Sequence, residues 1–362
     1  MAKKKKKSTG VRKTLIALCV VLGIVLAVLV AGTIYAEILL GKVNYIDPDA
    51  TAPTLSQEQI DALYRPDETE AVIVEETEAV GEEVEETEPV EVVPEETEAE
   101  FTLPAIKVNS DDVKTFLLVG SDDGGYRSES STPRTDSMIL CVFNKPQKTI
   151  TLLSLSRDLY VKIPGYKDNR INTAYALGGV SLLKATIEKN YGITVDGSAI
   201  INFGNFENLI NYVGGIEVEL TKKEADYINR YGAGDVKVGM NTLNGYNALD
   251  YARFRGSGAG EIDRTGRQRY VLSQMVYKYK NLGKAELLGV LDDVLPLITT
   301  DMSKEDILGH FLNFFPMLAE AELVSTRIPV DGGYYLTMKD GMSVIIARKQ
   351  QTKEVIESVF GG

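Results

Sequence analysis

The hydrophobic pattern divides the chain into stretches with different signatures. Residues 15–36 run without a single charge; at about 1.5 Å rise per residue, a helix of that length is about 33 Å long and can cross the hydrocarbon core of a bilayer. Further on, residues 114–120, 137–143 and 149–154 are short continuous apolar runs, the pattern of strands covered on both faces. Apolar residues at helical spacing predict helices over 172–177, 179–191, 205–212, 222–231, 244–253 and 264–282. A mostly helical stretch over 281–315 and a last hairpin over 327–342 complete the pattern. Strands and helices alternate without strict βαβ repetition, so the expected class is α/β: a three-layer α/β/α domain with a central mixed β-sheet, preceded by a single transmembrane helix and a disordered acidic stalk.

Charge sharpens the boundaries. Lys3 to Lys7 are consecutive lysines, followed by Arg12 and Lys13, so residues 1–14 read as a basic cytoplasmic tail and everything after the span lies outside the cell. Residues 51–100 carry 18 acidic side chains against Arg65 alone, a charge of −17. Glu-Glu-Thr-Glu recurs there from Glu75, Glu85 and Glu95. Such a segment buries too little apolar surface to offset its ordering entropy, so residues 37–104 read as an acidic disordered linker. Residues 1–50 contribute +5, which leaves −13 + 17 − 5 = −1 for residues 101–362. A nearly neutral domain over 105–362 excludes a broad nucleic-acid surface. Cys19 and Cys141 supply no disulfide framework, since one lies in the span and the other inside a strand pattern.

Against that neutral background, residues 250–269 carry Arg253, Arg255, Arg264, Arg267 and Arg269. Arg253 and Arg255, two apart in an extended segment, share a face, and Arg264 opens a helix. Planar guanidinium forks bind two oxygens at once and stay charged, so their convergence suggests a phosphate or pyrophosphate site. The competing reading is a solvated face in which Asp250, Glu261 and Asp263 neutralise the arginines.

Three loops add to the first reading. Gly120-Ser121-Asp122-Asp123 follows a predicted strand, where ligands collect in α/β sheets. Arg134-Thr135-Asp136-Ser137 precedes the next strand, and Ser154-Leu155-Ser156-Arg157-Asp158 ends the third. Two carboxylates at neighbouring strand ends suit Mg²⁺, which takes one or two protein carboxylates together with water and phosphate oxygens. His310 is the sole histidine, which removes Ser-His-Asp and Cys-His catalysis from consideration.

The ordered set GSDD, RTDS, SLSRD, RINTAY, ALDYARFRG and DRTGRQR resembles the LytR-CpsA-Psr family over roughly residues 113–346. The resemblance implies a membrane-anchored extracellular phosphotransferase that moves a glycopolymer phosphate from a polyprenyl pyrophosphate carrier to peptidoglycan. It also implies Mg²⁺ ligands at Asp122 and Asp136 and diphosphate contacts from Arg134, Arg157, Arg170, Arg253, Arg255, Arg264 and Gln268. Arg157, Arg255 and Asp158 are then the candidate catalytic groups, with Asp158 or an Mg²⁺-bound hydroxide taking the acceptor proton. Arg170 stands where many members have Lys, and Glu261 where an Asp is usual. The isoprenoid tail calls for an apolar channel, for which Leu182, Leu183, Ile187, Phe203, Phe206, Leu209 and Ile210, or the stretch after Leu287, are candidates beside a plain core role. Two competing functions use the same residues: hydrolysis of the lipid diphosphate, and non-enzymatic lipid sensing in the envelope.

Overall fold

The computed structural model describes residues 32, 35–47, 55–64, 103, 111–121, 135–256, 261–280, 292–317 and 320–361. Strand β1 (Asn44–Tyr45) is followed by helix α1 (Gln57–Ala62), which opens on a reciprocal capping box between Ser56 and Gln59. Strands β2 (Val113–Ser121), β3 (Thr135–Asn144) and β4 (Thr149–Leu155) are the three apolar runs of the sequence, each slightly longer than its pattern. The short pair β5 (Tyr160–Val161) and β6 (Asn169–Arg170) leads into helix α2 (Ile171–Tyr191). This span leaves helical geometry at Gly178 and Gly179, the latter at φ 62°, so it consists of two helices meeting at a glycine break, as the pattern predicts.

The middle of the chain continues through β7 (Gly197–Asn202), α3 (Phe203–Tyr212), β8 (Ile216–Leu220) and α4 (Lys222–Tyr231). It then passes through β9 (Gly239–Leu243), α5 (Gly245–Arg253) and α6 (Glu261–Lys280). The side chains of Asn202, Thr221 and Asn244 each accept a backbone N–H at the start of α3, α4 and α5, which is why these helices begin where they do. Last come β10 (Thr299–Thr300), α7 (Lys304–Phe314), β11 (Glu322–Ile328), the hairpin β12 (Tyr334–Lys339) and β13 (Met342–Ala347), and α8 (Lys349–Phe360).

Seven strands form one sheet in the order β1-β10-β7-β2-β3-β4-β11. β7 pairs parallel with β2 and β11 parallel with β4, while β2, β3 and β4 alternate antiparallel, so the sheet is mixed as expected. On one face Leu117, Leu140 and Leu153 pack with Leu183 and Ile187 of α2 and Val359 of α8. On the other, Phe116 meets Phe143 edge-on at 5.8 Å and His310 of α7 at 5.2 Å, and α6 packs over β3 and β4. Helices thus cover both faces of the sheet. A second core joins α3 to α6 and the β8–β9 pair through Ile210, Ile216, Val218, Ile228, Leu243 and Val271. There a Cβ on Gly245 would lie 2.0 Å from the carbonyl oxygen of Glu207, so only glycine permits α5 to approach α3 this closely.

Several expectations change. Arg253 ends helix α5, and the next residue, Phe254, is extended, so Arg253 and Arg255 do not share a strand. The last hairpin is β12–β13, whereas Arg327 belongs to β11, an edge strand of the main sheet. The fold also extends into the segment expected to be a disordered linker: Asn44 and Tyr45 pair with Thr299 and Thr300, and Leu63 is buried in the first core with its carbonyl bonded to Asn169. Leu183, Ile187, Leu209 and Ile210 are core residues. Most of the expected span over 15–36, all of the acidic repeats, and residues 281–291 lie outside the described residues. Among the described residues no helix is long and apolar enough to cross a membrane.

One buried carboxylate pins the sheet's inner edge. Asp301 accepts from the amide and hydroxyl of Ser198 at 2.7 and 2.9 Å and from Lys184 Nζ at 2.8 Å. Burial alone would raise its pKa, but Lys184 and the Ser198 donors together hold it below the ordinary carboxylate value. A depressed folded pKa means stability present above the unfolded pKa and lost as pH falls through the folded one. Asp301→Ala should therefore lower unfolding free energy by about 2–3 kcal/mol at neutral pH. Urea titrations across the acid range up to neutral pH should show the gap closing at the acid end; a gap constant with pH would contradict the assignment.

Candidate functional site

Register gathers the ends of several strands at one edge of the sheet. Ser121 at the end of β2 pairs with Asn202 at the end of β7, and Leu155 at the end of β4 with Ile328 at the end of β11. β3 starts there, with Thr135 opposite Ser121. Because Gly120 pairs with Ser137 and Ser121 with Thr135, Asp136 is the extra residue of a β-bulge, a device that interrupts pairing beside functional sites. Asp122 and Arg134 lie outside the described residues, as do the side chains of Asp136 and Glu261.

Just past β4, Asp158 takes two cations. Its Oδ1 is 3.5 Å from Nε of Arg157 and 3.7 Å from Nε of Arg170. Arg170 also donates from Nε and Nη2 to the carbonyl of Ser343 at 3.1 and 2.8 Å, and only 6% of its surface is exposed. The Ile345 amide donates to the carbonyl of Asp158 at 2.9 Å, so strand β13 holds this corner from the other side. Arg170 is thus a clamp between β6 and β13. Asp158 is engaged by both guanidiniums, which fixes its position relative to Arg157.

Arg253 lies over the ring of Phe203 at 4.8 Å. Phe203 directly follows β7, so this cation–π contact brings Arg253 to the same edge. Arg255 is exposed two residues beyond, and Gln268 is half-buried on α6. Arg264, also on α6, is among the most buried large side chains, with 1% exposed. Arg267 does something else. Its Nε is 3.3 Å from Glu224 Oε1 and its guanidinium covers Phe254 at 4.9 Å. Glu224 belongs to the capping box of α4, so Arg267 ties α6 to α4 and follows the neutralised reading, with a carboxylate other than the three sequence neighbours.

Arg269, one of the five clustered arginines, is joined by Arg327, which the sequence pattern does not single out. Arg269 donates from Nε to Ser325 Oγ at 2.9 Å, and Arg327, on the same strand as Ser325, pairs in register with Ser154 of β4. The alternation Ser325-x-Arg327 is the available signal, masked because Arg327 looks like the start of a hairpin. Among the described residues, desolvation pushes the Cys141 thiol up to about 12, and His310 meets Phe116 edge-on. Among the described residues no three His, Cys, Asp or Glu side chains gather as a metal cluster.

A model of the LytR_cpsA_psr family matches residues 71–360. The chain belongs to this family. "Regulatory protein MsrR" of Staphylococcus aureus is 30% identical over 255 residues, covering 69% of this chain and 75% of MsrR. The "polyisoprenyl-teichoic acid–peptidoglycan teichoic acid transferase TagU" of Enterococcus faecalis is 34% identical over 239 residues, covering 64% of this chain and 76% of TagU. A solved structure of Bacillus subtilis TagT superimposes with a TM-score of 0.57 at 27% identity, covering 71% of this chain and 95% of that one. TagT (YwtF) with bound octaprenyl pyrophosphate lipid gives a TM-score of 0.55 at 27% identity over 74% and 98% of the two chains.

The Arg170 clamp generates a test. Lysine keeps the charge but cannot place two parallel N–H groups on the Ser343 carbonyl. Arg170→Lys should lower unfolding free energy by roughly 1 kcal/mol and Arg170→Ala by more, through the lost charged hydrogen bonds. Denaturant titration reads both; equal stability of Arg170→Ala and the parent chain would refute the clamp.

Proposed function

We propose that this chain transfers a glycopolymer phosphate from a polyprenyl pyrophosphate carrier to peptidoglycan, at the sheet edge that holds Arg157 and Arg253. The reading is carried by Arg157 and Arg253 standing at strand ends on a neutral domain, in a family where TagU is named for this transfer and TagT takes an octaprenyl pyrophosphate. A diphosphate brings about two negative charges, and more develops on the bridging oxygen as its P–O bond breaks. Fixed cations lower that barrier without a covalent nucleophile.

In this scheme Arg157, Arg253, Arg255 and Arg264 hold the diphosphate oxygens, with Arg134 and Gln268 completing the contacts. Asp158 keeps Arg157 in position and is the candidate group for taking the acceptor hydroxyl's proton. The hydroxyl attacks the phosphorus nearer the glycan, the new P–O bond forms, and polyprenyl phosphate leaves with the electrons of the broken one. The oxygen donors of Asp122 and Asp136, the latter in a bulge at the mouth, suit Mg²⁺, and no larger ligand cluster among the described residues competes for it. Bound there, Mg²⁺ would neutralise diphosphate oxygens. The domain would work outside the cell, held to the membrane by residues 15–36.

Arg253→Ala and Arg255→Ala should each reduce transfer to peptidoglycan by about 100- to 1,000-fold, the scale for losing one positioned charge-stabilising donor. Unfolding midpoints should stay near the parent value, and unchanged turnover in both variants would remove the site. Assays of phosphate release with and without peptidoglycan separate transfer from hydrolysis. The name "Regulatory protein MsrR" keeps a regulatory role as the second reading; as a non-enzymatic lipid sensor the chain would bind carrier with no turnover under either condition.

A further inference from the structure

The underside of α6 presents a group of polar atoms that the proposed reaction does not use. Ser154 and Ser156 lie on β4 and its extension, where the Ser156 amide donates to the carbonyl of Ile328 at 3.0 Å and continues the ladder with β11. Ser154 pairs with Arg327, Leu152 with Ser325, and register partners in a sheet share a face. Arg269 comes down onto that face from α6 by its bond to Ser325. Ser154 Oγ, Ser156 Oγ, Arg269 Nη1 and Arg327 Nη1 are all buried, and none has a hydrogen-bond partner among the described residues. The two serines are 1% and 3% exposed. Native interiors rarely leave one such atom unsatisfied, so four on adjoining positions mark a place built for something else.

Its chemistry is that of an anion site. Both guanidinium atoms can only donate, and the serine hydroxyls can turn to donate as well. Among the described residues Asp331 is the carboxylate that meets this pair, and it bonds Arg327 from the solvent side with its own side chain almost fully exposed. Two like charges therefore lie partly buried within reach of each other, with Asp331 balancing Arg327 from the solvent. Desolvation first, then the neighbouring Arg327, push Arg269 down to about 10, which leaves it charged at neutral pH. An oxyanion with several acceptor lone pairs would satisfy all four atoms and remove the repulsion.

We propose that Arg269, Arg327, Ser154 and Ser156 form a second phosphate-class anion site beneath α6, and that it takes a phosphate of the polymer being transferred. The pair Arg157 and Arg170 belongs to a different corner, where Asp158 and strand β13 engage it. The identity of the occupant rests on the transferase reading; the existence of an anion site does not. A polymer with regularly spaced phosphates would be gripped twice, at its carrier diphosphate and at this site, so the site would set preference for phosphate-bearing over neutral polymers.

Equilibrium dialysis of the full chain in detergent with labelled inorganic phosphate, geranyl pyrophosphate and a short polyol-phosphate oligomer tests this. Arg327→Gln and Arg269→Gln should each lose one equivalent of bound inorganic phosphate and weaken oligomer binding at least tenfold, while geranyl pyrophosphate affinity stays within twofold. Undiminished phosphate binding by both variants overturns the site. Parallel loss of geranyl pyrophosphate shows one continuous pocket and overturns its separateness. Loss of phosphate with unchanged oligomer affinity overturns the polymer as occupant in favour of free phosphate. Ser154→Ala with Ser156→Ala, which keeps both charges and the fold, should weaken phosphate at least threefold, and no change there counts against the geometry. Failure of the parent chain to bind geranyl pyrophosphate while phosphate binding still depends on Arg327 would sink the transferase reading and leave this site standing.

Discussion

Holding guanidinium groups inside a protein is the constraint around which this domain is organised. Arginine does not release its proton at physiological pH, so each buried one must be bonded, paired or stacked, or must repel its neighbours. The domain answers differently at each position. Arg267 pairs with a carboxylate and covers a ring, Arg170 uses a carbonyl and a shared carboxylate, and Arg253 stacks on Phe203. Arg269 and Arg327 each keep a buried Nη1 without a hydrogen-bond partner among the described residues, and the proposed anion site rests on those two atoms.

The mixed sheet makes these placements possible. Reversing direction between β2, β3 and β4 while keeping β7 and β11 parallel to their neighbours brings four strand ends and one strand start to a single edge. Loops leaving that edge come from segments far apart in the chain. Arg157 and Arg253 come to the same edge because β4 and β7 end there, each end held by one of the two apolar cores.

Legibility in the sequence follows the range of the interaction. Local signals are readable: caps at Asn202, Thr221 and Asn244 mark helix starts, and the apolar runs of β2 to β4 reflect burial on both faces. The break at Gly178–Gly179 is visible because glycine tolerates geometry other residues avoid. What stays hidden is pairing across distance. β11 is an edge strand with a half-polar pattern, so Ser325 and Arg327 leave no apolar run, and their value emerges only when β4 lies beside them. The arginine-rich segment divides for the same reason. Arg253 reaches the mouth, whereas Arg267 turns to Glu224, a carboxylate on a separate helix that no local pattern connects to it. The order near the N-terminus is equally hard to foresee, because two residues of β1 are too few to leave a pattern and their pairing partner lies more than 250 residues on.

Charge placement also explains how a neutral domain could handle an anionic polymer. A strongly basic surface would bind any polyanion and release it slowly. If the proposed sites hold, confining the positive charge to an edge and to the face beneath α6 would make binding depend on geometry, because an oxyanion would lose water to reach Arg269 or Arg327 and would regain that cost only where several donors meet it at once. The exposed Asp331 beside Arg327 fits this logic: it is a carboxylate that an incoming anion can displace at little cost, since its own side chain is already in water.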